Sequence, residues 1–269
     1  MAAQLKMSEP PLKITVATVT YNAAELIEKT IASVEKQDYP HVEHLIIDGN
    51  SQDKTLEAVH HYQERNSVAG VPHEVNCLSE PDHGLYDAMN KAIDMATGDY
   101  IVFLNAGDTF HEDTTLSKIA AVVERYGETH PAVVYGHTDI VDGKGNFLRH
   151  RRLSPPQRLT WRSFASGMLV CHQAFYARTD LAKANPYNLK YRFSADFDWC
   201  IRIMREAKRK KLPLANTQIV VADYLNEGMT TKNHKASLRE RFNIMTHHYG
   251  IFVTLFQHLW FVVRNVVKK

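Results

Sequence analysis

Cysteine is scarce in this chain, with three residues, Cys77, Cys171 and Cys200, scattered over 269 positions. An odd, scattered set excludes a disulfide framework, and none of the three has metal-ligand spacing. Core thiols in a reducing compartment are the simplest expectation. Long apolar runs are missing too. No stretch reaches the roughly 18–20 apolar residues that cross a bilayer, and the opening MAAQLKMSEPPLK carries no apolar signal segment. A cytoplasmic location is therefore expected. Charge of one sign is not in excess: Lys+Arg number 32 against 30 Asp+Glu, a net +2. No global field points to a nucleic-acid partner. Repeats and low-complexity segments are absent. No Gly-x-Gly-x-x-Gly follows the first strand-like segment, which argues against a dinucleotide-binding oxidoreductase.

What is present is an alternation of apolar strand-like runs and amphipathic helical segments. Ile14–Val19 reads as a first strand with Thr20-Tyr21-Asn22 as its exit, and Asn22 as the N-cap of a helix to about Gln37. Val42–Ile47 reads as a second strand, Lys54–Asn66 as a helix, and Glu74–Leu78 as a third strand. The stretch from Ser79 to Phe110 is the centre of the pattern. Its acidic loop, Glu80-Pro81-Asp82-His83-Gly84, precedes a helix with Leu85, Met89, Ala92, Ile93 and Ala96 on one face; Gly98 is expected to stop it. The run Tyr100–Leu104 follows, ending in Asn105-Ala106-Gly107-Asp108. Alternation with short connections predicts an α/β fold with a parallel sheet and helices on both faces. Ligands of such sheets bind outside the carboxyl ends of the strands. Here those exits carry Tyr21, then Asp48, then Asp82, then Asn105 and Asp108.

Beyond Asp108 the pattern changes. Asp142-Gly143-Lys144-Gly145-Asn146 reads as a hairpin turn, and Ile219–Ala222 as a strand. Asp196 and Asp198 open a helix that runs to about Lys210, and Asp198 is expected to cap or anchor it. Trp161, Tyr191 and Trp199 are candidates for stacking on the rings of a ligand or for core packing. The tail, 226–269, holds a polar loop, a helix over Leu238–Tyr249 and a very apolar segment, 251–269, interrupted by Gln257, His258, Arg264 and Asn265. Such a segment suits either the interfacial plane of a membrane or a protein contact, including a homo-oligomer.

Three motifs taken in order, Asp48-Gly49-Asn50-Ser51-Gln52-Asp53-Lys54-Thr55, Glu80-Pro81-Asp82-His83-Gly84 and Leu104-Asn105-Ala106-Gly107-Asp108, resemble the family 2 glycosyltransferases with a GT-A fold. The resemblance covers roughly residues 13 to 225 and is nearest to the bacterial branch that builds capsular, colanic-acid-like or O-antigen polysaccharides. It implies a GT-A, Rossmann-like, mixed and mainly parallel sheet over 1–225, followed by a helical tail, 226–269. It implies inverting transfer from a UDP- or GDP-sugar to a glycan or lipid-linked acceptor, with Mg²⁺ or Mn²⁺, and a location on the inner face of the membrane if the tail docks there.

Position by position, the resemblance places Thr18, Tyr21, Asp48 and Asp82 in the nucleotide pocket and Asp108 at the metal. Asn105 stands where the family's metal motif usually has its first Asp, and offers a carbonyl oxygen. Asp196 matches the general base, with Ala195 where the family often has Glu. His172 is a candidate for the diphosphate, and His234 for a further metal ligand in a loop with Lys232. A carboxylate within reach of the acceptor hydroxyl can take its proton, and a divalent cation stabilises a leaving diphosphate. The losses at Asn105 and Ala195 motivate a rival reading, a degenerate nucleotide-sugar-binding or scaffold protein. A nucleotidyltransferase is the other rival, but Thr20-Tyr21-Asn22-Ala23-Ala24 is not the glycine-rich basic loop it needs.

Overall fold

The computed structural model describes residues 11–70, 72–226 and 234–267. Strand β1 (Ile14–Thr20) lies between β2 (Val42–Asp48) and β4 (Tyr100–Phe103), and β3 (Glu74–Ser79) flanks β2. All four are parallel. Helices α1 (Ala24–Glu35), α2 (Thr55–Ser67) and α3 (Leu85–Met95) make the crossovers. Strands β1, β2 and β4 are buried along their whole length, which is why they read as near-continuous apolar runs.

The second half departs from the simple parallel expectation. The sheet order is β3-β2-β1-β4-β8-β6-β9-β5, with β7 beside β6. Strand β8 (Phe175–Arg178) is antiparallel to both β4 and β6 (Val133–Val141). Strand β9 (Leu214–Leu225) runs parallel to β6, and the two-residue β5 (Thr109–Phe110) pairs antiparallel with β9. The expected hairpin joins β6 to β7 (Phe147–His150). The sheet is thus mixed and mainly parallel, flanked by helices that include α4 (Thr115–Glu124), α5 (Thr179–Ala184) and α6 (Ala195–Arg209).

The direction of β8 decides the chemistry. Tyr100 pairs with Arg178 and Ile101 with Ala177, so the chain entering β8 arrives at the carboxyl end of β4. The short 3₁₀ turn His172–Ala174 is thereby set against the exit of β4. A parallel strand would have put it at the opposite edge.

Two local expectations are corrected. Asn22 does not cap α1: Ala23 is the cap residue, without a side-chain bond. Asn22 has φ +47° and its Oδ1 accepts the Gln52 N–H at 2.8 Å. The first amides of α1 are satisfied from the neighbouring loop, Ala23 N–H by Thr55 Oγ1 (2.9 Å) and Ala24 N–H by Asp53 Oδ2 (3.1 Å). Gly98 is not a left-handed helix stop either. Helix α3 ends at Met95, and Gly98 is needed because the β1 backbone passes so close that an added Cβ would lie 2.8 Å from Thr15 N and 2.9 Å from Lys13 O.

The tail forms α7 (His234–Tyr249) and α8 (Ile251–Val267). Ile244 and Met245 of α7 enter the main core. Asp198, buried in α6, accepts from Arg202 Nε (2.7 Å) and meets His248 Nε2 of α7 (2.8 Å). It anchors the helix to the tail. Glu240 of α7 accepts the backbone N–H groups of Arg192, Phe193 and Ser194 at 2.8, 2.9 and 3.0 Å, bracing the loop that leads into α6. Among the described residues no helix is long and apolar enough to cross a membrane.

Candidate active site

One cleft of about 750 Å³ opens at the carboxyl ends of β1 and β4 and at the amino end of α6. Five separated segments line it with residues singled out above: Tyr21, Asp82, Asn105 with Asp108, His172, and Asp196. Thr18 and Asp48 are placed beneath it rather than on its wall. Thr18 is fully buried on β1, its Oγ1 2.9 Å from both Leu104 O and His44 Nε2. The expectation that Thr18 contacts a nucleotide is corrected on that ground: its hydroxyl ties β1 to β4 and β2. Asp48, at the tip of β2, is also fully buried, accepting from Ser51 N–H (2.9 Å), Ser51 Oγ (2.5 Å) and Ser79 Oγ (2.7 Å). It shapes the loop exits of β2 and β3. Gly49, next to it, lets the cleft wall close: a Cβ there would fall 2.6 Å from Asp82 Oδ2 and 3.3 Å from the Tyr21 ring. Asp82 is held by the Gly84 N–H (2.7 Å), and Tyr21 is 63% exposed, a free ring at the rim.

The floor is polar and connected. His172 Nε2 lies 3.1 Å from Asn105 Nδ2, and its Nδ1 lies 3.4 Å from Asp196 Oδ2. With the Asn105 amide donating to Nε2, the imidazole carries its proton on Nδ1 and donates it to Asp196. Asp196 Oδ1 accepts from Tyr86 Oη (3.1 Å) and from the Phe197 N–H (2.9 Å). Burial pushes the Asp196 carboxyl up. The hydrogen bond of His172, the Arg241 charge and the Phe197 amide outweigh it and hold the group below the usual carboxylate range. The amino end of the 15-residue α6 adds a favourable dipole. Burial drives Tyr86 well above its ordinary value, so its hydroxyl stays a donor.

Asp108 is 4% exposed. Its Oδ2 accepts from Gln173 Nε2 (2.7 Å) and its Oδ1 from the Leu225 N–H (3.1 Å). Burial raises its carboxyl to about 6, against the pull of Gln173, Leu225 and His172. Asn105 Oδ1 and Gln173 Oε1 are buried without a hydrogen-bond partner among the described residues. An under-solvated carboxylate and two unpartnered amide oxygens form an all-oxygen donor set, the kind a hard divalent cation takes. Asp108, Asn105 and Gln173 are therefore of the donor chemistry that fits a hard divalent cation. The side chain of His234 and all of Lys232 lie outside the described residues.

Sequence reasoning missed Gln173, Tyr86, Phe193 and Tyr224, all on the cleft wall. Gln173 is adjacent to the flagged His172, but nothing local says that β8 delivers it to Asp108. Arg192 also lines the cleft. The three aromatic stacking candidates are packing residues. Trp199 is fully buried and stacked on Tyr187, Tyr191 is buried, and Trp161 stacks on Tyr249 at 5.5 Å between centroids.

A mixed sheet with acids at its strand exits and a buried carboxylate at a helix start places a polar, carboxylate-lined cleft at one edge of an α/β scaffold. Residues 15–183 match the family described as "Glycosyl transferase family 2", and the chain belongs to that family as a glycosyltransferase. A "PGL/p-HBAD biosynthesis glycosyltransferase" of Mycobacterium bovis is 32% identical over 220 residues, covering 81% of this chain and 78% of the relative. Among solved structures, S. aureus TarS 1–349 in complex with UDP-GlcNAc matches with a TM-score of 0.65 at 20% identity, over 87% of this chain and 64% of that one. The mannosyltransferase PcManGT from Pyrobaculum calidifontis, in complex with GDP-Man and Mn²⁺, matches with a TM-score of 0.62 at 18% identity, over 93% and 71%. At such identities these two establish the GT-A fold alone.

Proposed function

We propose that this glycosyltransferase moves a sugar, with inversion, from a UDP- or GDP-sugar to a hydroxyl of a glycan or lipid-linked acceptor in surface polysaccharide synthesis, using Mg²⁺ or Mn²⁺. The observation that carries the reading is the pairing of two differently tuned carboxylates in one cleft. Asp196 is held ionised, as a general base must be at neutral pH. Asp108 is buried and short of solvation, as suits a carboxylate that a cation completes. The bound forms of the solved neighbours, UDP-GlcNAc in one and GDP-Man with Mn²⁺ in the other, support a nucleotide-sugar donor. The names of relatives, the "PGL/p-HBAD biosynthesis glycosyltransferase" and an "Amylovoran biosynthesis glycosyltransferase AmsB" of Erwinia amylovora, support a place in polysaccharide synthesis.

In this reading Tyr21 offers a ring at the rim for the base, and Asp82 lies beside it for the ribose. Asp108, Asn105 and Gln173 hold the cation, which when bound stabilises the negative charge of the departing diphosphate. His172 fixes Asp196 on one side and Asn105 on the other, so one imidazole sets the orientation of both a base and a metal-side amide. Tyr86 and the Phe197 amide occupy Asp196 Oδ1, which leaves Oδ2, the oxygen facing His172, to take the acceptor proton. Arg192 supplies positive charge at the cleft wall. The tail is assigned to peripheral contact with the inner membrane face, because α8 exposes Phe252, Leu255, Phe256, Leu259 and Trp260.

The test separates binding from chemistry. Asp196→Asn keeps size and one acceptor oxygen but removes the base. Donor affinity by calorimetry should stay within a fewfold of wild type, while turnover of the donor falls by roughly 10²–10⁴, the usual worth of a general base. Normal turnover in the variant would remove Asp196 from that role. Donor binding with no turnover in the wild-type chain, across donors and acceptors, would favour the degenerate binding protein.

A further inference from the structure

A second group of ligating side chains lies outside the cleft. Asp139 on β6 and Asp223 on β9 are direct cross-strand partners. Next to Asp139 on the other side is His150 of β7, its partner in that ladder. Asp223 pairs across its other edge with Thr109 of β5, and His111 follows just after β5. Four adjacent strands thus present His150, Asp139, Asp223 and His111 in a row. His150 Nδ1 is 2.7 Å from Asp139 Oδ1, and His111 Nδ1 is 2.8 Å from Asp223 Oδ1. One ligand atom from each of His111, Asp139 and Asp223 lies within 4.8 Å of the others. None of the four lines the cleft.

From this arrangement we propose a second divalent-cation site, for a zinc-class transition ion, held by His111, Asp139 and Asp223, with His150 orienting Asp139. Two carboxylates facing each other across a ladder repel, and Asp139 is 4% exposed. A cation between them removes that repulsion. Among the described residues only Oδ1 of Asp139 is engaged, by His150, so Oδ2 is available. One imidazole nitrogen and two carboxylate oxygens, with water in the fourth place, are a donor set for zinc rather than for magnesium, which takes oxygen ligands and keeps its waters. Two atoms each about 2.1 Å from a tetrahedral zinc are about 3.4 Å apart, so ligand atoms that lie within 4.8 Å of one another close on the ion by up to about 1.4 Å. An opening exists on the Asp139 side, where a cavity of about 330 Å³ is lined by Asp139, His150, His137 and Arg151. His111 is partly exposed on the other side, its side chain 34% accessible.

The placement gives the ion a consequence. His111 lies three residues beyond Asp108, on the chain that leaves the cleft through β5. A cation joining it to β6 and β9 pins that two-residue strand, and with it the backbone that holds Asp108. The site acts as a clamp on the cleft floor, not as a part of it.

The test uses the full chain and Zn²⁺ alone. Equilibrium dialysis with metal analysis on Asp108→Asn, which disables the cleft carboxylate, should still give one tightly held equivalent. Adding His111→Gln to that chain should weaken this equivalent at least tenfold, the scale of losing a metal-site partner, as should adding Asp223→Asn. Replacing zinc by Co²⁺ should give a visible d–d spectrum in Asp108→Asn that His111→Gln abolishes. Zinc should raise the melting temperature of Asp108→Asn and not that of the double variant. No zinc retained by Asp108→Asn, or equal retention with and without His111, would overturn the site and leave only scattered surface histidine binding.

Discussion

The Asp108→Asn substitution should make the metal-free protein more stable as pH rises. Asp108 is buried at the floor of the cleft with its carboxyl raised from an ordinary 3.8 to about 6. Below about pH 4 the group is protonated in both the folded and unfolded chain and costs nothing. Between about 4 and 6 the unfolded chain releases the proton while the folded chain keeps it, so stability falls through that window. Above about 6 the full cost is present. At 1.36 kcal/mol for each unit between the two values, that cost is about 3 kcal/mol. The amide variant does not titrate. Its oxygen can still accept the Leu225 N–H, and a rotated Gln173 amide can turn Oε1, now unpartnered, toward the new NH₂. The fixed cost of the substitution is therefore small. Urea or thermal melts of both chains in EDTA, from pH 4.5 to 8, should show the stability difference moving in favour of Asp108→Asn by about 2 kcal/mol, since about 1 kcal/mol of the cost is already present at pH 4.5. In a chain of this size that is roughly 4–8 °C in melting temperature. Adding Mn²⁺ with nucleotide should stabilise the wild-type chain preferentially. A difference that is flat with pH would refute the reasoning, because it would mean that Asp108 ionises without penalty.

Glu240→Ala removes the acceptor for three backbone amides in the loop before Asp196. Charge-assisted bonds of this kind, partly exposed here, predict a loss of about 2–4 kcal/mol in urea melts, with turnover falling more than donor affinity; a variant that melts and turns over like wild type would mean the tail does not brace that loop. Truncation after Gly250 removes the exposed apolar face of α8, and should abolish co-sedimentation with vesicles of anionic lipid; equal sedimentation with and without α8 would end the membrane assignment.

The first half of the fold was legible because β1, β2 and β4 are buried on both sides and announce themselves as apolar runs with polar exits. The second half was not. Strand β8 is four residues long, FYAR, and nothing in it says that it enters the sheet antiparallel between β4 and β6. Strand β5 is two residues, shorter than any periodic signal. The same blind spot explains the site. Acids at successive strand exits pointed to one edge of the sheet, and Asp82, Asn105 and Asp108 do share the cleft. Thr18 and Asp48 sit on those same strands, but side-chain direction alternates along a strand, and burial at a strand tip depends on the loops around it. Gln173 and Tyr86 reach Asp108 and Asp196 from segments 65 and 110 residues away, a proximity only the closed sheet creates. The motif from Asp48 to Thr55 carries the family resemblance. Much of it is architecture: Ser51 satisfies Asp48, while Asp53 and Thr55 cap α1 from across the loop.

The central claim, that the cleft takes a nucleoside diphosphate together with a cation on Asp108, is tested most directly by thermal shift with UDP, GDP, CDP and dTDP, each with and without Mn²⁺. The account predicts a metal-dependent rise with one nucleotide, worth about 2.7 kcal/mol at a hundredfold excess over its dissociation constant, and the loss of its metal dependence in Asp108→Asn. No rise with any nucleotide, or a rise indifferent to both metal and Asp108, would contradict it.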